Sequence, residues 1–122
     1  MAEIIVDSWA WAEYLSGNHK VAQAMEGKLL KTPALAFAEL YRSFKRKGLA
    51  DEKIEKALQS MASKSIVLAL DAKQAILAGK IAAEENMHLS DAIIYSYTTA
   101  SVPVLTGDAD FRGRQKVIFI SG

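Results

Sequence analysis

Near the start of the chain lies Ile4-Ile5-Val6-Asp7-Ser8, a run of three β-branched residues that ends in an acid. The apolar residues do not alternate with polar ones, which is typical of a parallel strand that is covered on both faces. Asp7 ends this strand, and Ser8 is placed to cap a short helix after it. Short apolar runs alternate with longer helical segments along the rest of the chain. This alternation predicts an α/β fold built on a parallel sheet.

Length and composition indicate a single domain over residues 1–122. The chain has 122 residues, of which 51% are hydrophobic and 24% are charged, and it contains no cysteine. A disulfide framework, a thiolate zinc site and a cysteine nucleophile are therefore excluded. The net charge of +1 creates no overall attraction for nucleic acid, so a polyanion must be bound by a local patch or a metal. The apolar runs are too short to span a membrane and no signal peptide is recognisable, so we expect a soluble, cytoplasmic protein.

Helices are expected where apolar residues recur every three or four positions. The stripe within residues 37–44 is preceded by Thr32-Pro33, which predicts a helix N-cap followed by a first-turn proline. Asp51 and Ser90 are predicted to cap two later helices, the second over residues 91–100. Further apolar runs predict strands at residues 29–30, 66–70, 102–105 and 117–120. The sheet therefore has four to five strands.

Five acids occupy positions that are unusual for an ordinary domain. Asp7 follows the first strand, Asp108 and Asp110 follow the 102–105 strand, and Asp91 opens an otherwise apolar helix. Glu39 lies away from the apolar stripe of its own helix. Because the carboxyl ends of parallel strands meet at one edge, where α/β sheets bind ligands, we expect Asp7 and Asp108 to face a common space.

Each acid also has an ordinary explanation when it is taken alone. Asp7 and Asp91 are suited to helix N-termini, Asp108 and Asp110 to an Asx-turn, and Glu39 to an ion pair with the nearby arginine at position 42. Together, however, several carboxylates in one place must either raise their pKa values or bind a cation. Mg²⁺ prefers such oxygen ligands, and it can activate water against a phosphodiester. The acids therefore favour metal-dependent phosphodiester hydrolysis.

In four segments the sequence resembles PIN domains, and more narrowly VapC-type ribonuclease toxins. The segments are residues 4–8, 36–40, 89–94 and 105–111, in this order. The resemblance implies a three-layer sandwich with a central parallel sheet between helices. It also implies an acidic pocket that binds Mg²⁺ or Mn²⁺ and cleaves RNA. By position, Asp7, Glu39, Asp91 and Asp108 match the catalytic and metal-binding acids of the family, with Asp110 as a further metal ligand.

The resemblance also implies supporting residues and partners. Thr106 and Ser8 match supporting positions, whereas Trp9 stands where many members have a second serine. VapC-type toxins form homodimers and are inhibited by a VapB-type antitoxin, so both partners are expected here. Three alternatives stay open: a PIN nuclease that processes ribosomal RNA, a binding-only PIN-like module, and a phospho-accepting receiver domain. In a receiver, Asp71 would be the acceptor.

Basic residues follow two of the acidic segments and are candidates for contacts with RNA phosphates. They are Arg42, Lys45, Arg46, Arg112 and Arg114. Such contacts position a substrate without reading its sequence. The ordinary alternative for the first three is a solvated helix end, because cations collect at helix C-termini.

Overall fold

The computed structural model describes residues 1–121 and shows one α/β domain. The first half of the chain contains β1 (Glu3–Val6), α1 (Ser8–Leu15), α2 (His19–Met25), β2 (Leu29–Pro33), α3 (Ala34–Arg46) and α4 (Asp51–Lys64). The second half contains β3 (Ile66–Leu68), α5 (Ala72–Glu85), α6 (Leu89–Tyr95), β4 (Val104–Thr106), a 3-10 turn (Ala109–Phe111) and β5 (Val117–Phe119). None of these helices combines the length and the apolar character needed to cross a bilayer.

The five strands form one parallel sheet in the order β3-β2-β1-β4-β5, which confirms the predicted fold class. The central strand β1 has hydrophobic cores on both sides. Ile4 and Val6 pack with the first four helices, whereas Ile5 packs with Ile94 of α6 and Phe111. Alternate residues of a strand point to opposite faces, so the apolar run without polar alternation produces a three-layer sandwich.

The strand order places a crevice between β1 and β4. The chain leaves β1 towards β2 on one side and leaves β4 towards β5 on the other, so the direction of winding reverses between these two neighbours. In open α/β sheets this reversal point is where ligands bind, beyond the carboxyl ends of the strands. Asp7 comes directly after β1, and Asp108 follows β4 with only Gly107 between them.

Two predicted helix caps at the site are wrong. Asp7, not Ser8, caps α1, because its Oδ1 accepts a hydrogen bond of 2.8 Å from the backbone N–H of Ala10. Ser90 lies inside α6, which begins at Leu89 and ends at Tyr95 rather than at residue 100. The predicted cap lies one position too late in α1 and two positions too late in α6, where the N-cap is His88. The predicted end of α6 also lies five residues beyond the observed end.

The other two predicted caps are also wrong, because tertiary contacts use these side chains elsewhere. Thr32 is buried at the end of β2, where its hydroxyl accepts a 2.9 Å hydrogen bond from the indole N–H of Trp11. Asp51 is the first residue of α4, and its carboxylate binds Lys45 and Tyr41 of α3 instead of capping its own helix. The strands after β2 are three residues long, and β4 begins two residues later than expected.

Candidate functional site

Asp7 lies at the floor of the crevice and is only 4% exposed. The pKa of this carboxyl is raised to about 7, mainly by burial and to a smaller extent by the negative charges of Asp108 and Glu39. Hydrogen bonding to Thr106 and to the backbone N–H of Ala10 opposes this rise. Asp7 therefore has three roles in the fold: it ends β1, it caps α1, and it places a poorly solvated carboxyl beside other acids.

Three acids from the second half of the chain form a tight cluster next to it. One carboxylate oxygen from each of Asp91, Asp108 and Asp110 lies within 4.8 Å of the other two. Asp108 caps the 3-10 turn through a 3.0 Å hydrogen bond to the backbone N–H of Asp110, which fixes these two acids relative to each other. Asp91 comes from the first turn of α6. Burial raises the pKa of Asp91, and its hydrogen bond with Asp110 raises it further.

Glu39 approaches the same cluster from α3. Its carboxyl is half-buried, and burial raises its pKa, whereas the Ser8 hydroxyl and the Arg42 guanidinium lower it. The charge of Asp108 acts on Glu39, on Asp7 and on Asp91. Asp108 is therefore the common neighbour of acids from four separate segments. Among the described residues, the carboxylate oxygens close enough to share one ion are those of Asp91, Asp108 and Asp110, whereas Asp7 and Glu39 lie outside this group.

Thr106 and Ser8 connect these acids to the ends of the central strands. The Thr106 hydroxyl interacts with Asp7 and accepts a 3.1 Å hydrogen bond from the backbone N–H of Asp108. Ser8, the first residue of α1, interacts with Glu39 of α3. Both hydroxyls therefore link carboxyls that come from different elements.

The chemistry of this donor set fits a hard divalent cation. Carboxylate oxygens are the ligands that Mg²⁺ and Mn²⁺ take in proteins. Three of them, from Asp91, Asp108 and Asp110, are close enough to one another to bind the same ion. In the part of the chain that the structure describes, the basic side chains that lower the raised pKa values of these acids are Arg42 at Glu39 and His88 at Asp91. None acts on Asp7. A divalent cation, if bound here, would supply the positive charge that these acids lack.

The predicted phosphate-binding residues lie in different surroundings. Arg42 lines an open cleft together with Glu39 and Ser90, and Arg114 lines a small polar pocket with Asp91 and Asp110. Lys45 is paired with Asp51 at 2.7 Å between α3 and α4. The remaining two are Arg112, which stacks on the Phe119 ring at 4.6 Å, and Arg46, which is exposed at the end of α3.

Two features of the site were missed in the sequence. One is His88, whose electrostatic interaction with Asp91 lowers the pKa of that acid. His88 lies three residues before Asp91, which is about one helical turn, and this spacing could have identified it. Gly107 lies against the indole of Trp9, since a Cβ built on this glycine would be 2.3 Å from two atoms of the ring. No spacing in the sequence indicates this second contact, because the two residues are 98 positions apart.

Comparisons with known proteins agree with this geometry. The PIN domain family matches residues 4–116. No curated protein matches the chain. Among solved structures, the chain is similar to one from DNA-bound VapBC of Salmonella typhimurium, with a TM-score of 0.74, 17% identity, and coverage of 99% of this chain and 98% of that one.

Two other solved structures are similar over nearly their whole length. A chain from a toxin-antitoxin complex of Klebsiella pneumoniae has a TM-score of 0.72 and 20% identity, with coverage of 94% of this chain and 95% of that one. A chain from VapBC2 of Rickettsia felis, bound to a promoter DNA fragment, has a TM-score of 0.72 and 13% identity, with 98% of both chains covered. At these identities the likeness establishes the fold, and the family match over residues 4–116 establishes the relationship. The chain belongs to the PIN domain family, whose members are nucleases.

Proposed function

We propose that this protein is an endoribonuclease that depends on Mg²⁺ or Mn²⁺, and that it is the toxin of a VapBC-type toxin–antitoxin pair. One observation carries the nuclease proposal: acids from four separate segments meet at the reversal point of the sheet, where Asp108 is close to Asp7, Glu39 and Asp91. The toxin proposal draws on the solved relatives, which come from toxin-antitoxin complexes. Such a toxin acts on RNA in the cytoplasm.

We assign the metal to five acids, of which the first four are also the catalytic residues: Asp7, Glu39, Asp91, Asp108 and Asp110. When bound, the metal supplies Lewis-acid polarisation of the phosphodiester and lowers the pKa of the attacking water. The protein contributes the positions of its oxygens, which hydrogen bonds from Thr106 and Ser8 maintain. The oxygens of Asp91, Asp108 and Asp110 are already close together, and preorganised ligands of this kind need little rearrangement when the substrate arrives.

The surrounding cations are proposed to hold the RNA backbone. Arg42 lies next to the acids, so its guanidinium group is placed for a phosphate beside the scissile bond. Arg114 also lies next to them, but its guanidinium is paired with Glu85 at 3.2 Å, and this pair must open before Arg114 can bind a phosphate. Arg46 and Arg112 extend this surface further from the acids. Lys45 is likewise held in an ion pair, with Asp51, so Lys45 and Arg114 are the two candidates that must first leave a partner.

The test is cleavage of single-stranded RNA by the purified protein with Mg²⁺, with Mn²⁺ and with EDTA. We expect cleavage with either metal, none with EDTA, and products with 5′-phosphates because water is the nucleophile. Asp108→Asn should abolish cleavage. Asp71→Asn is the matched control, because Asp71 also caps a helix and lies outside the site. Cleavage that persists in EDTA, or in Asp108→Asn at the wild-type rate, contradicts the proposal.

An antitoxin of the VapB type is the proposed protein partner. An apolar groove between α1, α3 and α4 is lined by Leu15, Phe44 and Leu49, and two lysines, Lys47 and Lys53, line it as well. This combination suits an amphipathic segment with apolar side chains for the groove and carboxylates for the lysines. Co-purification with the product of an adjacent small gene, and weaker inhibition of Leu15→Glu than of the wild type, are the expected results. If the antitoxin inhibits both proteins equally, it does not bind in this groove.

A homodimer is the second proposed assembly. The edge strand β3 exposes Ile66 and Val67 by 47% and 46%, and Ile76 of the neighbouring α5 is 73% exposed. Exposed apolar side chains at an open sheet edge are what a second copy covers in a dimer. Light scattering after gel filtration should give about twice the 13.3 kDa chain mass. Ile76→Lys should give the monomer mass, and a monomeric wild type contradicts this assembly.

Of the alternatives, ribosomal RNA processing uses the same site and differs only in the target. Mapping of RNA 5′ ends after induced expression, in wild type and in Asp7→Asn, separates the two roles. The receiver alternative loses its support, because β2 lies between the strand before Asp71 and the strand before Asp7. The carboxylate of Asp71 is also used at 2.8 Å to cap α5 through Gln74.

A further inference from the structure

Trp9 and Gly107 pack against each other at the point where α1 and the β4 turn meet. A Cβ built on Gly107 would lie 2.3 Å from Cη2 and Cζ2 of the Trp9 ring and 2.7 Å from Cε2. Real Cβ atoms do not approach other atoms so closely, so the six-membered ring of the Trp9 indole occupies the space that a side chain at position 107 would need. Trp9 itself is half-buried and packs against the hydrophobic core of α1 to α4.

The backbone at Gly107 does not require glycine. Gly17, Gly27, Gly48 and Gly113 have positive φ angles, which L side chains rarely adopt, whereas Gly107 does not. The side chain of Trp9 is therefore the reason why position 107 cannot carry a Cβ.

This contact joins the two segments that carry the central acids. Trp9 is the second residue of α1, two positions after Asp7, and Gly107 directly precedes Asp108. The Thr106 hydroxyl makes a second link between the same segments, through Asp7 and the backbone N–H of Asp108. The distance between Asp7 and Asp108 is thus held by one polar link and one packing contact.

We infer that Trp9 is a positioning residue. It packs against the backbone of Gly107 and thereby holds Asp108 at the distance from Asp7 that the divalent metal requires. This inference rests on the proposed metal-dependent nuclease site. Residues that orient metal ligands without touching the metal typically contribute about 10- to 100-fold to metal affinity. Loss of the indole should therefore weaken metal binding more than it weakens the fold.

A double-mutant cycle with Mn²⁺ as the probe tests the inference by isothermal titration calorimetry at pH 8. Trp9→Ala and Gly107→Ala should each raise the Mn²⁺ dissociation constant about tenfold or more. The double variant should be no weaker than Trp9→Ala, because the added methyl then occupies the space of the lost ring. Trp9→Phe should recover most of the affinity, since a smaller ring still covers the glycine.

The control variant is Trp11→Phe, which disturbs the same helix on its other side and should leave the Mn²⁺ affinity within twofold of wild type. Equal affinities for wild type and Trp9→Ala, or additive effects in the cycle, overturn the positioning role. If instead the wild type neither binds Mn²⁺ nor cleaves RNA, the proposed function itself fails. If Trp11→Phe weakens binding as much as Trp9→Ala, the effect is general destabilisation and the inference is wrong.

Discussion

Substitution of Asp7 by asparagine should stabilise the metal-free protein, and the gain should grow with pH. Asparagine has nearly the same shape and is an equally good helix N-cap, so the hydrogen bond from Ala10 is retained. What the substitution removes is a carboxyl that is 4% exposed and lies close to Asp108 and Glu39. The change therefore isolates the cost of ionising this buried group.

The size of the effect follows from the pKa of Asp7, which is raised from 3.8 to about 7. The folded state binds this proton more tightly than the unfolded state does, so the stability it contributes is fully present below pH 4. It is lost as the pH rises from the unfolded value through the folded value. A difference of about 3 units corresponds to ~4 kcal/mol, of which ~2.5 kcal/mol is lost between pH 5 and pH 8. The stability difference between Asp7→Asn and the wild type should increase by this amount over the same interval.

Urea unfolding followed by circular dichroism, in EDTA at pH 5, 6, 7 and 8, measures this difference. Asp71→Asn is the control, because Asp71 caps α5 through a bond of the same 2.8 Å length but is exposed. Its stability difference from wild type should not change with pH in this range. An advantage of Asp7→Asn that is constant from pH 5 to pH 8, or a parallel increase in Asp71→Asn, refutes the reasoning. Saturating Mg²⁺ should narrow the gap, because ligand binding stabilises only the form with an intact site.

Three further predictions concern the site and the scaffold. Mn²⁺ should bind more weakly at pH 6 than at pH 8, because the pKa values of Asp7 and Asp91 are raised and protons compete with the metal; calorimetry at both values is the check, and equal affinities would contradict it. Trp11→Phe should lower the free energy of unfolding in urea by ~1–3 kcal/mol, since the substitution removes the buried indole N–H that donates to Thr32. Gly79→Ala, in the interior of α5 with open space around it, should raise stability by ~0.5–1 kcal/mol, whereas the same change at Gly48, with φ of +87°, should lower it; a thermal melt in which both glycines respond alike would be evidence against this account.

Much of the fold could be predicted because its signals are local. The apolar run at Ile4 is continuous, and only a strand with a core on each face has use for such a run. The helix boundaries failed where a polar side chain had a better partner in another element. Thr32 is the clearest example, since a threonine before a proline has the sequence of an N-cap, yet its hydroxyl is required by Trp11 inside the core. A cap contributes ~1 kcal/mol, which is comparable with the cost of leaving the buried indole N–H without a partner.

The acids divide in the same way between local and long-range signals. Asp7 and Asp108 could be placed together because parallel strands put their carboxyl ends at one edge, although the adjacency of β1 and β4 had to be assumed. The position of Asp91 was harder to predict from the sequence. Its place beside the other acids depends on how α6 packs against α5 and on the packing of Ile94 against Ile5 of β1. No periodicity within residues 89–95 encodes that orientation.

Trp9 marks the limit of what spacing can predict, because the order of residues along the chain does not indicate which of them touch. In the sequence, Trp9 is only a residue that stands where a serine was expected. Its ring contacts a residue 98 positions later in the chain, Gly107, which must therefore remain without a side chain. A metal site needs its ligands held to a fraction of an ångström, and a hydroxyl at position 9 would do this by hydrogen bonding. At this contact Trp9 presents carbon atoms of its ring, so it acts by packing against the backbone of Gly107. Serine at position 9 should therefore not replace Trp9 while position 107 remains glycine. We expect the Trp9→Ser variant to bind Mn²⁺ more weakly than the wild type, and titration of this variant with Mn²⁺ can decide the question.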